Sequence, residues 1–170
     1  MLYEPSEDSF LLQEQVRKYA KGKVLDMGTG AGILAKTALE KTKDVLAVDI
    51  NEEAVNNCKK LKINCIKSDL FEKVKGKFDL IIFNPPYLPD DNINLEDNLN
   101  HIGGKKGNEV LERFFSQTKK YLKKEGKILI VFSSLTHDVD KILKKYNFKY
   151  KKLSEKSFFF EKLYVYLITN

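Results

Sequence analysis

The sequence predicts an α/β fold in which a mainly parallel sheet carries helices on both faces and ends in an antiparallel β-hairpin. Apolar runs of strand length alternate with amphipathic segments along most of the 170 residues. One run, FDLIIF at 78–83, is apolar apart from a single aspartate, which is typical of a strand buried on both faces. The last two strands, within 148–169, have only a short connection and therefore pair antiparallel, because a parallel crossover needs about a dozen residues or more.

The first half of the chain supplies the alternating elements in order. Residues 5–20 predict a helix with Ser6 as its N-cap, acidic residues in its first turn and Gly22 closing it. The segment GTGAG predicts a turn that opens a second helix, which ends near Lys41, and Asn51 caps a third. Strands are expected at 23–27, 44–50, 63–67 and 78–83, the third of them at a sheet edge.

The second half begins with an irregular, polar stretch at 88–107. A loop of this length is too long for a simple connector, so we interpret it as a substrate-side loop. A helix is expected over 108–126, ended by Gly126, followed by a strand at 127–133 and a helix at 135–146. The SFFFE segment in the closing hairpin is interpreted as core, with a partner-binding patch as the alternative.

Length and composition indicate one domain, residues 1–170, with an N-terminal helical segment at 1–22. Cys58 and Cys65 form no CxxC pair, so neither a metal site nor a disulfide is expected. The formal net charge of +6 permits a nucleic-acid partner but does not demand one, and solvated surface lysines are the favoured explanation. The absence of a signal-peptide pattern and of any long apolar run predicts a cytoplasmic protein without a membrane span.

A glycine-rich turn follows the first strand, at the sheet edge where open α/β sheets bind ligands. Gly28, Gly30 and Gly32 let the backbone approach a ligand closely. A nicotinamide dinucleotide would require a third glycine of GxGxxG, where Ile33 stands. Asp26, two residues before the turn, would repel a pyrophosphate but attract a cationic ligand.

Acidic residues end three successive strands. Asp26 suits a cationic methionine part, Asp49 both hydroxyls of a ribose, and Asp69 the exocyclic amine of an adenine. S-adenosylmethionine carries an ammonium, a sulfonium and an adenosine, so the three carboxylates match it group by group. The sequence therefore predicts an S-adenosylmethionine site and no metal.

The fourth strand ends in NPPY. Two adjacent prolines cannot continue a central strand, because neither has an N–H for the ladder. The Asn84 side-chain oxygen and the Pro85 carbonyl can accept both N–H groups of a planar NH2, while Pro86 stiffens the backbone and Tyr87 can stack on the planar group. This predicts a methyl transfer to an amino nitrogen that depends mainly on positioning.

These residues resemble a known family. VLDMGTGAG, AVDI, SDLF and NPPY are similar to class I S-adenosylmethionine-dependent methyltransferases, which implies a Rossmann-like seven-stranded sheet. YEPSEDSFLL and GGKKGNEVLERF resemble the HemK family, which methylates the glutamine side-chain amide in the GGQ motif of class-1 peptide release factors. The resemblance further implies that Ser9, Leu70 and Asn84 contact the cofactor, Ser9 at its carboxylate.

One departure from the bacterial HemK pattern concerns the N-terminus. YEPSEDSF begins at the third residue, so the helical domain that recognises the release factor is not expected, and the chain resembles the short archaeal and eukaryotic branch. Members of that branch are often activated by a small zinc-binding protein. The resemblance implies that such a partner docks on the edge strand near Ile63–Lys67 by strand addition.

Two alternatives stay open. NPPY also serves planar amines on nucleic-acid bases, so a methyltransferase for adenine or guanine exocyclic nitrogen is the first. Against it, the basic residues do not interleave with aromatic residues near the site. The second is a non-catalytic subunit that retains the fold, which the complete glycine turn and NPPY argue against.

Overall fold

The computed structural model describes residues 4–87 and 107–170, and most of the predicted substrate-side loop lies outside them. The described residues form one seven-stranded sheet in the order β3-β2-β1-β4-β5-β7-β6. Its strands are β1 Val24–Met27, β2 Val45–Asp49, β3 Cys65–Lys67, β4 Phe78–Phe83, β5 Leu122–Ser133, β6 Lys149–Ser157 and β7 Lys162–Thr169. The predicted fold class is confirmed.

The pairing of the strands follows the predicted pattern. β1 lies in the middle of the five parallel strands and pairs with β2 on one side and with β4 on the other, so that Asp26 stands between Ala47 and Ile82. β3 and β5 extend the parallel part, and β7 pairs antiparallel with both β5 and β6. β3 is therefore an edge strand, as expected.

Five helices among the described residues cover the sheet: α1 Glu7–Tyr19, α2 Ile33–Leu39, α3 Glu52–Lys60, α4 Glu109–Thr118 and α5 Val139–Lys145. From the centre of the sheet, the β1–β2 and β4–β5 connections run in opposite directions. Because parallel crossovers are right-handed, their helices lie on opposite faces. α1 packs on α2, and α4 packs on α5, which completes the two outer layers.

The expected helix over 108–126 is wrong in its second half. α4 ends at Thr118 and β5 already begins at Leu122, so Gly126 lies within a strand and does not end a helix. The pairing with β4 jumps from Phe78–Leu122 to Leu80–Lys127, which marks a bulge. A Cβ on Gly126 would stand 2.9 Å from the Phe78 carbonyl oxygen. Glycine therefore allows the two backbones to approach closely in the bulge.

The interpretation of SFFFE as core is also wrong. Phe158, Phe159 and Phe160 lie at the turn between β6 and β7, and the last two are 91% and 85% exposed. The hydrophobic core is formed instead by the apolar strands β1, β4 and β5 and by α4, whose Phe114 packs on Phe83 with ring centroids 4.5 Å apart. Three consecutive aromatic residues favour a buried segment, but the sequence pattern does not show that they lie in a tight turn.

None of the helices in the described part of the chain is long and apolar enough to cross a membrane. Within the same residues, no three His, Cys, Asp or Glu side chains are grouped so that they could hold a metal ion. Cys58 and Cys65 are both buried and free.

Candidate active site

The loops at the carboxyl ends of β1 to β4 surround a cavity of about 300 Å³. Each strand end contributes to its wall. Gly28 and Gly30 follow β1, Asp49 ends β2, Asp69 follows β3 and Asn84 follows β4. The position of the cavity is the one expected for an open α/β sheet. A volume of this size is at the lower end of small-molecule sites.

The glycine turn adopts backbone angles that few other residues tolerate. Gly28, Gly30 and Gly32 have φ angles of 66°, 52° and 86°. At Gly28 an added Cβ would contact the Phe83 ring at 3.6 Å, on the cavity wall. Gly28 and Gly30 line the cavity, whereas Gly32 does not. Its N–H donates to the Thr29 carbonyl and helps close the turn.

Asp26 is fully buried beneath this turn. Its Oδ2 accepts from the Thr29 hydroxyl at 2.6 Å and from the Ala35 N–H at 3.0 Å, which ties the turn to α2. Its Oδ1 has no hydrogen-bond partner in the described residues. Burial raises the pKa of this carboxyl from 3.8 to about 7, against the lowering effect of the two hydrogen bonds. Asp26 does not line the cavity, so its contact with a cationic ligand stays a prediction.

Asp49 faces the cavity from the end of β2. Its Oδ2 accepts from the Gly30 N–H at 2.9 Å and its Oδ1 from the Asn51 N–H at 2.8 Å. A carboxylate offers about four lone-pair sites, so two acceptor positions remain for hydroxyl groups in the cavity. The side chain thus fixes the glycine turn and keeps the capacity predicted for it.

Asp69 has a partner that sequence reasoning missed. Its Oδ2 accepts from Arg113 Nη2 at 2.8 Å, and both side chains line the cavity. Arg113 comes from α4, beyond the long loop, and no sequence spacing connects it with a strand end 44 residues earlier. Leu70 also lines the cavity and has a φ of 46°, a conformation that is costly for leucine.

Asn84, Pro85 and Pro86 also line the cavity. Asn84 Nδ2 donates to Ser9 Oγ at 3.3 Å. The Asn84 Oδ1 is buried and has no hydrogen-bond partner in the part of the chain that the structure describes. A buried acceptor without a donor costs free energy, and a ligand N–H can supply the missing hydrogen bond.

Tyr87 is anchored on the protein. The side chain is 5% exposed, and its hydroxyl donates to Asp8 Oδ2 at 2.9 Å, while its backbone carbonyl accepts from Thr136 Oγ1 at 2.9 Å. Asp8 lines the cavity and Tyr87 does not, so stacking by Tyr87 on a substrate stays a prediction. Sequence reasoning gave Asp8 only a helix-end role, because an acidic residue in a first turn is ordinary.

Ser9 lies behind Asn84, outside the residues that line the cavity. Its backbone N–H donates to Asp8 Oδ1, and its hydroxyl stands 3.1 Å from the same oxygen. In this arrangement the Ser9 N–H, at the start of α1, already has an acceptor and is not available to a cofactor carboxylate. The cofactor contact of Ser9 therefore stays a prediction.

Comparison with known families identifies the chain. Residues 6–160 match the model of the Methyltransferase small domain. The chain belongs to this family. The match includes α1, the cavity and NPPY, and it stops within the hairpin between β6 and β7.

The names of relatives of this methyltransferase refer to different substrates. It is 42% identical over 153 residues to a Methanocaldococcus jannaschii protein provisionally named protein N5-glutamine methyltransferase, covering 84% of this chain and 78% of that one. It is 34% identical over 137 residues to the release factor glutamine methyltransferase of Aquifex aeolicus, covering 70% of this chain and 48% of that one. It is 30% identical over 132 residues to ribosomal RNA small subunit methyltransferase C of Haemophilus influenzae, covering 73% and 36%.

Among solved structures, this methyltransferase is similar to a chain of the E. cuniculi Mtq2–Trm112 complex, described as responsible for methylation of the translation termination factor eRF1. The TM-score is 0.81 at 23% identity, with 99% of this chain and 98% of that chain covered. The similarity shows a shared fold over the full length of both chains.

Proposed function

We propose that the protein transfers the methyl group of S-adenosylmethionine to the side-chain amide nitrogen of the glutamine in the GGQ motif of a class-1 peptide release factor. The observation that carries the proposal is Asn84, a residue of the cavity wall whose Oδ1 is buried and has no donor among the described residues. An N–H of a bound substrate can supply the missing donor. A primary amide offers two.

The residues around the cavity fit S-adenosylmethionine. Asp49 and Asp69 supply carboxylates for its ribose and adenine, Gly28 and Gly30 expose backbone, and Leu70 adds apolar surface. When bound, the cofactor supplies an electrophilic methyl group on its sulfonium. Asp26, beneath the glycine turn, adds a carboxyl whose ionisation a nearby cation would favour.

Asn84 Oδ1 and the Pro85 carbonyl oxygen together form what we call the amide clamp, which accounts for the chemistry at the substrate. An amide nitrogen is a weak nucleophile, because its lone pair is delocalised into the carbonyl group. Asn84 Oδ1 and the Pro85 carbonyl accept the two N–H groups of the substrate and favour a pyramidal, more nucleophilic nitrogen. Pro85 and Pro86 restrict the backbone, so the acceptors are held in place before the substrate arrives. Positioning supplies the rate enhancement, and the proton leaves after transfer.

The choice of glutamine rests on the relatives. Two of the three relatives described above carry glutamine methyltransferase in their names. A base amine presents the same planar NH2, and the ribosomal RNA methyltransferase among the relatives keeps that substrate as an outcome of the test. The relative named for N5-glutamine has the highest identity of the three and the largest covered share of both chains.

A small activating partner on the β3 edge is the second part of the proposal. β3 Cys65–Lys67 pairs with β2 on one side only, so its outer edge can receive an added strand. A chain of the similar fold is found in complex with Trm112. The register with β2 turns the backbone N–H of Lys67 toward the outer edge, so Lys67→Pro removes a donor that an added strand would use and leaves the β2–β3 bonds in place. The substitution is expected to reduce co-elution of the partner in gel filtration. Undiminished co-elution would contradict the docking site.

Methyl transfer from labelled S-adenosylmethionine tests the activity. The protein, with and without the partner, is incubated with a release factor and separately with tRNA, rRNA and DNA. Label on the release factor glutamine is expected. Label on nucleic acid alone would refute the proposed substrate.

Asn84→Ala tests the clamp. We expect turnover to fall about 100-fold or more, as positioning is lost, while calorimetry shows cofactor affinity within a few-fold of wild type. Asn56→Ala, an exposed asparagine on α3, is the matched control. Equal turnover in Asn84→Ala would refute the clamp.

A further inference from the structure

A chain of hydrogen bonds connects the first turn of α1 with both ends of NPPY. Asp8 Oδ2 accepts from the Tyr87 hydroxyl at 2.9 Å, and Asp8 Oδ1 accepts from Ser9 Oγ at 3.1 Å. Ser9 Oγ in turn accepts from Asn84 Nδ2 at 3.3 Å. Asp8 and Ser9 are each 2% exposed, so water does not compete for these groups.

The donors around Asp8 determine the direction of every bond in this chain. The Ser9 backbone N–H can only donate, and the hydroxyls of Ser6, Ser9 and Tyr87 also point at the carboxylate. Three of these donors reach Oδ1 and the Tyr87 hydroxyl reaches Oδ2. A carboxylate oxygen accepts in each of these contacts, so the contact with Ser9 Oγ uses the hydroxyl hydrogen of Ser9. The single hydroxyl hydrogen of Ser9 is therefore committed to Asp8.

The commitment of that hydrogen sets the orientation of the Asn84 amide. Because its hydrogen is used, Ser9 Oγ can offer Asn84 only lone pairs. The Asn84 amide therefore turns its Nδ2 amino group, which is a donor, toward Ser9 Oγ. A flipped amide would bring Asn84 Oδ1 against Ser9 Oγ with no hydrogen between the two oxygens, and would leave Nδ2 without an acceptor. The flipped form is therefore disfavoured.

We propose that Asp8 and Ser9 are positioning residues that hold Asn84 with its Oδ1 ready to accept an N–H from the substrate NH2. The inference rests on the proposed amide clamp and adds how its acceptor is oriented. Without the Ser9 hydroxyl, both amide orientations become accessible, and the flipped one presents a donor to the substrate donor. The expected effect is on turnover rather than on cofactor affinity.

A double-mutant cycle tests this coupling. Ser9→Ala is expected to lower kcat about 10-fold or more, with the Kd for S-adenosylmethionine and the melting temperature nearly unchanged. In the Asn84→Ala background the same substitution should change kcat less than twofold, because Ser9 acts through Asn84. Ser9→Thr, which keeps a hydroxyl, should restore kcat, and Ser157→Ala, an exposed serine at the end of β6, is the control.

Two results would overturn the proposal. An equal loss of kcat in both backgrounds would show that Ser9 does not act through Asn84. A loss of cofactor affinity as large as the loss of turnover would assign Ser9 to the cofactor instead.

Nuclear magnetic resonance of the Asn84 side-chain amide tests the orientation without any substrate. Its NH2 signals are assigned by their disappearance in Asn84→Ala and should shift in Ser9→Ala but not in Ser157→Ala. Unshifted signals would refute the hydrogen bond even if the protein methylates a release factor. Conversely, shifted signals in a protein that methylates only nucleic acid would support the orientation and refute the proposed substrate.

Discussion

The buried carboxyl of Asp26 should make the free energy of unfolding depend strongly on pH. Burial beneath the glycine turn raises the pKa of its carboxyl from 3.8 to about 7. The unfolded chain loses this proton near pH 3.8, whereas the folded protein keeps it to about pH 7. Between these values the folded state binds more protons, so the free energy of unfolding falls as the pH rises, and the contribution levels off above pH 7.

The size of the effect follows from the two pKa values. One pKa unit corresponds to about 1.4 kcal/mol, so the whole interval amounts to about 4 kcal/mol and the part between pH 5 and pH 8 to about 3 kcal/mol. Asp26→Asn keeps an acceptor oxygen for the Thr29 hydroxyl and the Ala35 N–H but does not ionise. The variant should therefore gain about 3 kcal/mol relative to wild type between pH 5 and pH 8.

Urea denaturation followed by circular dichroism at both pH values measures this difference. Comparing each variant with wild type at the same pH cancels the titration of all other groups. Asp44→Asn, which alters an exposed carboxylate just before β2, should change stability by less than about 0.5 kcal/mol at either pH. An equal difference between wild type and Asp26→Asn at pH 5 and pH 8 would refute a burial-raised pKa.

Two further substitutions probe the fold and the cavity. Gly126→Ala places a Cβ 2.8 Å from Leu122 Cδ1 and 2.9 Å from the Phe78 oxygen, so we expect a loss of about 1–3 kcal/mol in urea denaturation. Unchanged stability would show that the β5 bulge relaxes freely. Asp49→Asn replaces a charged acceptor by a neutral one, and calorimetry should show S-adenosylmethionine binding weakened about 10- to 100-fold. Affinity within twofold of wild type would exclude the proposed ribose contact.

Prediction from sequence succeeded where the pattern is local. The alternation of strands and helices predicted the sheet type, and the short connection before β7 predicted its antiparallel pairing with β6. Prediction failed at Gly126 and at Phe159, where helix-like polar periodicity and aromatic content gave no information about a bulge or a turn. Both errors concern which way a segment packs, and packing depends on neighbours distant in sequence.

The strand ends already determined the candidate site at the level of the sequence, because parallel strands bring their carboxyl ends to one edge. Gly28, Asp49, Asp69 and Asn84 therefore meet at one cavity as expected. Only the tertiary structure decided the contacts between elements. The Asp8–Tyr87 bond joins residues 79 apart in the chain, and the Asn84–Ser9 bond joins residues 75 apart. Local sequence carries no signal for such pairs, since they exist only after α1 has docked beside the end of β4.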